Sequence, residues 1–305
     1  MSHDARGKTA VVTGGTDGIG KEVARGLARA GNRLIVVGRD PEKGLRTERE
    51  IRETTGNAEV RFLQADLSLV REANRLADEV ADRWPVLNYL VHSAGVVRGR
   101  HELTTDGVES NFAINYLSRF ALTVRLIPLL RAAGKPGESA RMVIIGGAAR
   151  GGTIHFDDVN LTANFATLRA VSQFCRANDV FTVELARRLT AAHDAAQVTI
   201  TCLKIGVVKT NIRREFPLWM KWLVALVFDP LLGQTASQAA ESALRLLLAE
   251  EFEGVTGALF LKIRKFKQAS PGTSPHDPEE ASRLWELSER LTAKGLAPAV
   301  VAATR

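Results

Sequence analysis

Apolar residues along this chain follow two alternating periods. Short continuous runs at 9–12 (Thr-Ala-Val-Val), 33–37 (Arg-Leu-Ile-Val-Val), 58–64, 87–92, 141–145, 198–203 and 257–263 predict buried strands. Between them apolar positions recur every three or four residues, first as Ile19, Val23, Ala24 and Leu27 on one helical face. Further helices are predicted over 69–84, 167–190, 238–248 and 277–291, and a long one begins near Asp106 with Phe112, Tyr116, Phe120 and Val124 at helical spacing. Gly31 stops the first helix, and Asp40 caps a second whose first position is Pro41. Strands alternating with helices predict an α/β, doubly wound parallel sheet covered on both faces. No repeat or interior linker divides the chain, so 1–296 is expected to form one domain and 297–305 a frayed tail.

The stretch Thr13 to Gly20, Thr-Gly-Gly-Thr-Asp-Gly-Ile-Gly, falls between the first strand and the first helix. Glycines there let the backbone turn sharply and approach a pyrophosphate, while the helix start offers unpaired N–H groups and its positive dipole end. Gly14, Thr16, Asp17, Gly18, Ile19 and Gly20 are therefore candidate dinucleotide contacts. A plain tight turn is the competing reading.

Composition narrows the alternatives. The chain has 305 residues, 45% of them hydrophobic, enough for a full core. Its net charge of +7 comes largely from Arg and Lys interleaved with Glu and Asp, as in 43–52, which reads as a solvated surface. No recognition module or basic aromatic patch points to nucleic acid. Only Cys175 and Cys202 are present, which excludes a disulfide framework and fits a reducing cytoplasm. The polar N-terminus leaves no room for a signal peptide, and no apolar run is expected to span a bilayer.

Several motifs in order resemble the short-chain dehydrogenase/reductase superfamily. They are the glycine turn, Asp66-Leu67 after the third strand, and His92-Ser93-Ala94-Gly95 after the fourth. Asp106-Gly107-Val108-Glu109 to Asn115, Phe156-Asp157-Asp158, Phe181 to Ala186 and Arg283 to Ser288 look like its retinol-dehydrogenase-like branch. The resemblance extends to about Leu291 and implies a Rossmann fold binding a nicotinamide cofactor. It implies that Arg39 meets the 2′-phosphate of NADP, that Asp66 and Leu67 border the adenine, and that Ser93, Ala94, Gly95 and Thr210 contact the cofactor further along. A guanidinium past the second strand grips a phosphate that a carboxylate would repel, which favours NADP over NAD, and Asp40 beside it is read as the helix cap. By analogy a homodimer would form through the two long helices carrying Asn115 and Cys175.

The resemblance also shows a loss. Carbonyl-reducing members use Ser, Tyr and Lys supported by an Asn; aligned on 181–185, the Tyr position holds Val171 and the Lys position Cys175. The Ser-Ser pair of the fifth strand is replaced by Gly146-Gly147, and only the asparagine survives, as Asn115. The chain's two tyrosines, Tyr89 and Tyr116, are followed four residues on by Ser93 and Phe120, so no Tyr-x-x-x-Lys exists anywhere. Valine has no proton to exchange and glycine no hydroxyl to donate.

A few of the remaining residues are candidate substitutes. Cys175 lies one helical turn from Val171 and is either an acid or nucleophile, or a small residue filling the lysine's space, with Asp179 one turn further on. Tyr116 points about 100° away from Asn115 and is read as core. Lys204, at the end of the sixth strand, either reaches the cleft or sits on the surface, and His155 either lines the pocket or stabilises its loop. The segment 215–232, with Trp219, Met220 and Trp222, is apolar and aromatic. It suits a lid over a bulky hydrophobic ligand, a membrane-surface contact, or simple packing. Three functions stay open: an atypical NADP(H) enzyme with unusual hydride transfer or non-redox chemistry, a cofactor or ligand sensor, and a partner subunit.

Overall fold

The computed structural model describes residues 5–149, 151–191, 198–206, 208, 234–263, 265–269 and 277–293. The segment 215–232, Thr210 and the tail 297–305 lie outside those residues. Elements in chain order are β1 (Thr9–Thr13), α1 (Gly18–Arg29), β2 (Arg33–Gly38), α2 (Pro41–Thr55), β3 (Val60–Gln64), α3 (Val70–Arg83) and β4 (Tyr89–His92). They continue with α4 (Ser110–Ala133), β5 (Ala140–Gly147), α5 (Thr167–Ala191), β6 (Val198–Ile205), α6 (Ala236–Leu248), β7 (Ala258–Lys262), β8 (Phe266–Gln268) and α7 (Pro278–Ala293).

The sheet order is β3-β2-β1-β4-β5-β6-β7-β8, parallel throughout except for the antiparallel β7–β8 pair. Strands β1, β4 and β6 are buried along their whole length, which is why they read as unbroken apolar runs. Val11, Ile35, Leu90, Ile144 and Cys202 face one core with α3, α4 and α5, while Val12, Val36, Val91, Val143 and Leu203 face the other with α1 and α6. The chain reverses direction across the sheet between β1 and β4, and the crevice at their carboxyl ends is where such folds take ligands.

Local signals fix the helix ends. Asp40 accepts from the Lys43 amide at 3.0 Å with Pro41 at the first helical position, and Gly56 closes α2 at φ +70°. The helix expected from Asp106 begins instead at Ser110. Gly107 takes φ +74° in a turn, and the buried Glu109 carboxylate caps the new helix through the Asn111 and Phe112 amides, each at 2.9 Å. Within α4, residues Ala113–Leu117 form a π turn. β8 was not anticipated, because its three residues are mostly exposed and carry no alternation.

By length and mean hydropathy Ser110–Ala133 would qualify as a membrane span, which corrects the expectation that no run does. That helix is a core element here, with 72% of the window buried inside the fold. α7 lies over α4 and α5. Tyr116 Oη and Ser288 Oγ are 2.7 Å apart, the Trp285 ring packs on Phe120 and Phe181, Arg188 stacks on Trp285 at 3.9 Å, and Arg176 pairs with Glu280. α7 thus covers part of the outer surface of α4 and α5, around Tyr116, Phe120 and Phe181.

Candidate functional site

At the carboxyl edge of the sheet the turns after β1 and β4 are built against each other. Thr13 Oγ1 donates to the Val91 carbonyl at 3.3 Å and accepts from the Ser93 and Ala94 amides at 3.2 and 3.3 Å, so one hydroxyl ties the loop after β4 to the end of β1. Gly14, at φ +65°, lies so close that a Cβ would stand 2.7 Å from Ala94 Cα. A Cβ on Gly20 would run into the Gly14 carbonyl oxygen and stand 3.0 Å from Ser93 Oγ. Gly18 also takes a positive φ, +50°. Asp17 caps α1 through the Gly18 amide at 2.7 Å and pairs with Lys43, and Thr16 packs against Gly38. Ile19 contributes to the core beneath. Together these residues bring the first turn of α1, with its donors lacking helical acceptors, against the end of β4.

The residues assigned to the adenosine end gather at the tips of β2 and β3. Arg39 is exposed just beyond Gly38, and its carbonyl accepts from Gln64 Nε2 at 3.2 Å. Asp40 is occupied as the α2 cap. Asp66 Oδ1 accepts from the Ser68 amide at 3.0 Å, and Leu67 is buried beside it. A carboxylate committed to a cap leaves the Arg39 guanidinium as the group facing solvent at the place where a ribose 2′ substituent is read in this topology.

The other end of the crevice is a buried polar network. Asn115 sits inside the π turn, a device common at functional sites. Its amide donates to the Val96 and Asn111 carbonyls at 2.7 and 2.8 Å and accepts from the Val96 amide at 3.2 Å, so the side chain holds the loop after β4. Gly95 passes directly over it, where a Cβ would be 2.8 Å from Asn115 Oδ1. The Asn115 carbonyl accepts from Asn178 Nδ2 at 2.9 Å. Asn178 Oδ1 in turn accepts from Arg119 Nη1 at 3.2 Å, and Arg119 Nη2 donates to the Ala94 carbonyl at 2.9 Å.

Lys204 neither lines an open cleft nor lies on the surface. It is buried and paired with Asp179, which reaches across from α5. Transfer of an ammonium into the core requires such a partner, and the apolar β6 run concealed it in the sequence. Cys175 is 2% exposed and fills the space above Gly147, whose Cβ would be 3.0 Å from the sulfur. Burial raises its thiol pKa, and Asp179 adds to the rise. Both findings match the space-filling reading of Cys175. His155 is half-buried, and the bond tying its loop to α5 runs from its backbone amide to Gln173 Oε1 at 2.9 Å, not from its ring. Arg119 and Asn178 were missed in the sequence; the usable signal was a charged residue on the Phe112, Tyr116 and Phe120 face of a buried helix.

His92 closes the network from β4. Its Nε2 lies 2.9 Å from Thr123 Oγ1, and its Nδ1 has no partner among the described residues. Burial, with Arg119 adding repulsion, lowers its pKa from 6.5 to about 3. The folded protein thus holds this ring neutral while the unfolded chain protonates it, so stability is complete above pH 6.5 and falls as the pH drops toward 3. The expected loss between pH 6 and 4.5 is about 2 kcal/mol. The lowered Glu184 and Glu253 carboxyls add their own losses mainly below 4.5, their ordinary value. Urea unfolding of His92→Leu and the parent at both pH values checks this, and equal acid losses in the two would refute it.

Comparison with known proteins agrees with this layout. The short chain dehydrogenase family model matches residues 8–151. Retinol dehydrogenase 13 of Homo sapiens is 34% identical over 290 residues, covering 93% of this chain and 84% of the relative. Polyprenol dehydrogenase of Homo sapiens is 33% identical over 286 residues, covering 93% and 85%. The crystal structure of an uncharacterized protein from Mycobacterium Paratuberculosis superposes with a TM-score of 0.73 at 26% identity, covering 96% of this chain and 98% of that one.

Proposed function

The chain belongs to the short-chain dehydrogenase/reductase family, in its retinol-dehydrogenase-like branch, and on that premise we propose that it binds NADP(H) and a bulky hydrophobic small molecule without the usual Ser-Tyr-Lys machinery. The observation that carries this reading is an asymmetry. The β1–α1 turn keeps every glycine that a close backbone approach needs, whereas position 171 is a valine and position 175 a buried thiol. Arg39 supports NADP over NAD, since it offers a planar pair of donors to a 2′-phosphate. Gly14, Thr16, Asp17, Gly18, Ile19 and Gly20 would hold the pyrophosphate end, with Ser93, Ala94 and Gly95 opposite them. When bound, the cofactor supplies a hydride donor or acceptor. The chain's residues orient it and exclude water.

Hydrophobic ligand choice is supported by two facts. The relatives are named for retinol and polyprenol, both largely hydrocarbon, and the sequence at 216–224 is aromatic and apolar. Turnover would then be hydride transfer to a substrate with its own proton source, or cyclisation or elimination in a dry pocket. The second reading is a non-catalytic cofactor or ligand sensor. It is favoured by the commitment of Lys204 to Asp179 and by the burial of Cys175. Two buried free thiols suit a reducing compartment, and we place the protein in the cytoplasm on that ground.

Fluorescence titration of the purified chain with NADPH and NADH tests the cofactor reading. NADPH is expected to bind more tightly, and Arg39→Ala is expected to weaken NADPH by roughly tenfold or more while leaving NADH unchanged, as removal of a charge-assisted phosphate contact does. Failure to bind either nucleotide would sink the reading. Following bound NADPH at its absorbance band with hydrophobic ketones and enones then separates the two functions. Oxidation of the cofactor supports hydride transfer, and a flat trace supports sensing or non-redox chemistry.

A further inference from the structure

Among the described residues, no carboxylate lies beside a buried cation at the nicotinamide side of the crevice. Arg119 is 4% exposed, its two terminal nitrogens donate to the neutral oxygens of Asn178 and Ala94, and its Nε has no hydrogen-bond partner. The groups that interact with it electrostatically are the two thiols, Cys175 and Cys202, and the neutral ring of His92. Asp179, the carboxylate next along, is paired with Lys204. The three charged side chains of this network, Arg119, Lys204 and Asp179, therefore sum to one positive charge. Burial without a counter-ion lowers even the Arg119 pKa, from 12.5 to about 10, which leaves it charged at neutral pH.

Topology says which part of a dinucleotide would feel that charge. With the pyrophosphate at the start of α1 and the adenosine over β2 and β3, the second nucleotide half runs over the ends of β4, β5 and β6. Arg119 is anchored to the Ala94 carbonyl just past β4, below that half. The two redox states of the cofactor carry the same phosphates and differ in charge at the ring, positive when oxidised and neutral when reduced. We propose that Arg119 sets the redox-state preference of the site, making it hold NADPH more tightly than NADP+. The inference rests on the cofactor reading above. One unit charge at a separation of ~10 Å and an effective dielectric of ~20 corresponds to a preference on the order of tenfold.

The test is the ratio of dissociation constants for NADP+ and NADPH, measured by calorimetry on the full chain and on Arg119→Lys, Arg119→Gln and Arg119→Met. The parent and Arg119→Lys are expected to favour NADPH about tenfold, and the two neutral variants to bring the ratio toward one. Because the phosphates are common to both ligands, the ratio is insensitive to general weakening of the site. Equal affinities in the parent, or an unchanged ratio in a folded neutral variant, would overturn the proposal while leaving the cofactor reading intact. Absence of binding by either form would instead remove the cofactor reading itself. Should both neutral variants fail to fold, the parent ratio alone decides.

Discussion

Asp179→Asn is expected to destabilise the folded chain by about 3–5 kcal/mol, the loss typical when one partner of a buried ion pair is removed and the other stays charged in the core. Lys204 is 5% exposed, enters from the end of β6, and meets Asp179 on α5. Arg119 also interacts with the thiols that border the pair, so a lone Lys204 ammonium would add a second uncompensated cation to one pocket. Replacing both partners together, Asp179→Leu with Lys204→Met, removes the charges along with their desolvation and is expected to change stability by no more than about 2 kcal/mol, in either direction. Urea unfolding of the two single variants and the double variant gives the coupling directly. An Asp179→Asn loss below about 1 kcal/mol would mean that solvent enters the pocket and that Lys204 is free to turn toward the crevice.

Gly20→Ala is expected to abolish measurable NADPH binding, a loss of roughly a hundredfold or more, while leaving the far-ultraviolet dichroism of the fold in place. The added methyl would collide with the Gly14 carbonyl, a backbone atom, and press on Ser93 Oγ at 3.0 Å. The Ser93 hydroxyl can rotate aside, but the Gly14 carbonyl cannot yield cheaply, because Gly14 is itself wedged against the backbone of Ala94. The start of α1 must therefore retreat from β1, and the amides meant for a pyrophosphate retreat with it. Gly26→Ala in the same helix is the useful control, since its Cβ would press only on the movable Leu244 side chain. Binding retained by Gly20→Ala would show that the nucleotide, if bound at all, does not rest on this turn.

The sheet and its covering helices were legible because parallel strands buried on both sides are apolar without interruption and the helices between them have clear caps. Asp40 and Pro41 announced α2, and the structure places both as expected. The start of α4 was misplaced by about one turn, because Phe112 and Tyr116 set the period but only the fold brings Glu109 into position as its cap. The glycine turn was legible as a motif, yet the part played by Thr13, joining β1 to a loop about eighty residues further on, depends on strand pairing. The absence of Tyr-x-x-x-Lys needed no structure at all. What took its place could not be read, since Lys204 and Asp179 are brought together by the docking of a helix on a strand, and Arg119 resembled any charged residue of a helix until its burial was seen.

The position of α7 has a consequence for how the chain is made. Phe120, Phe181 and Tyr116 are covered by residues that leave the ribosome well after them, with Trp285 and Ser288 among them. During synthesis the paired helices therefore emerge with an aromatic stripe still bare, and such surface is prone to self-association until α7 arrives. Nonsense mutations or proteolytic nicks just before 277 would leave nascent or clipped chains permanently in that sticky condition.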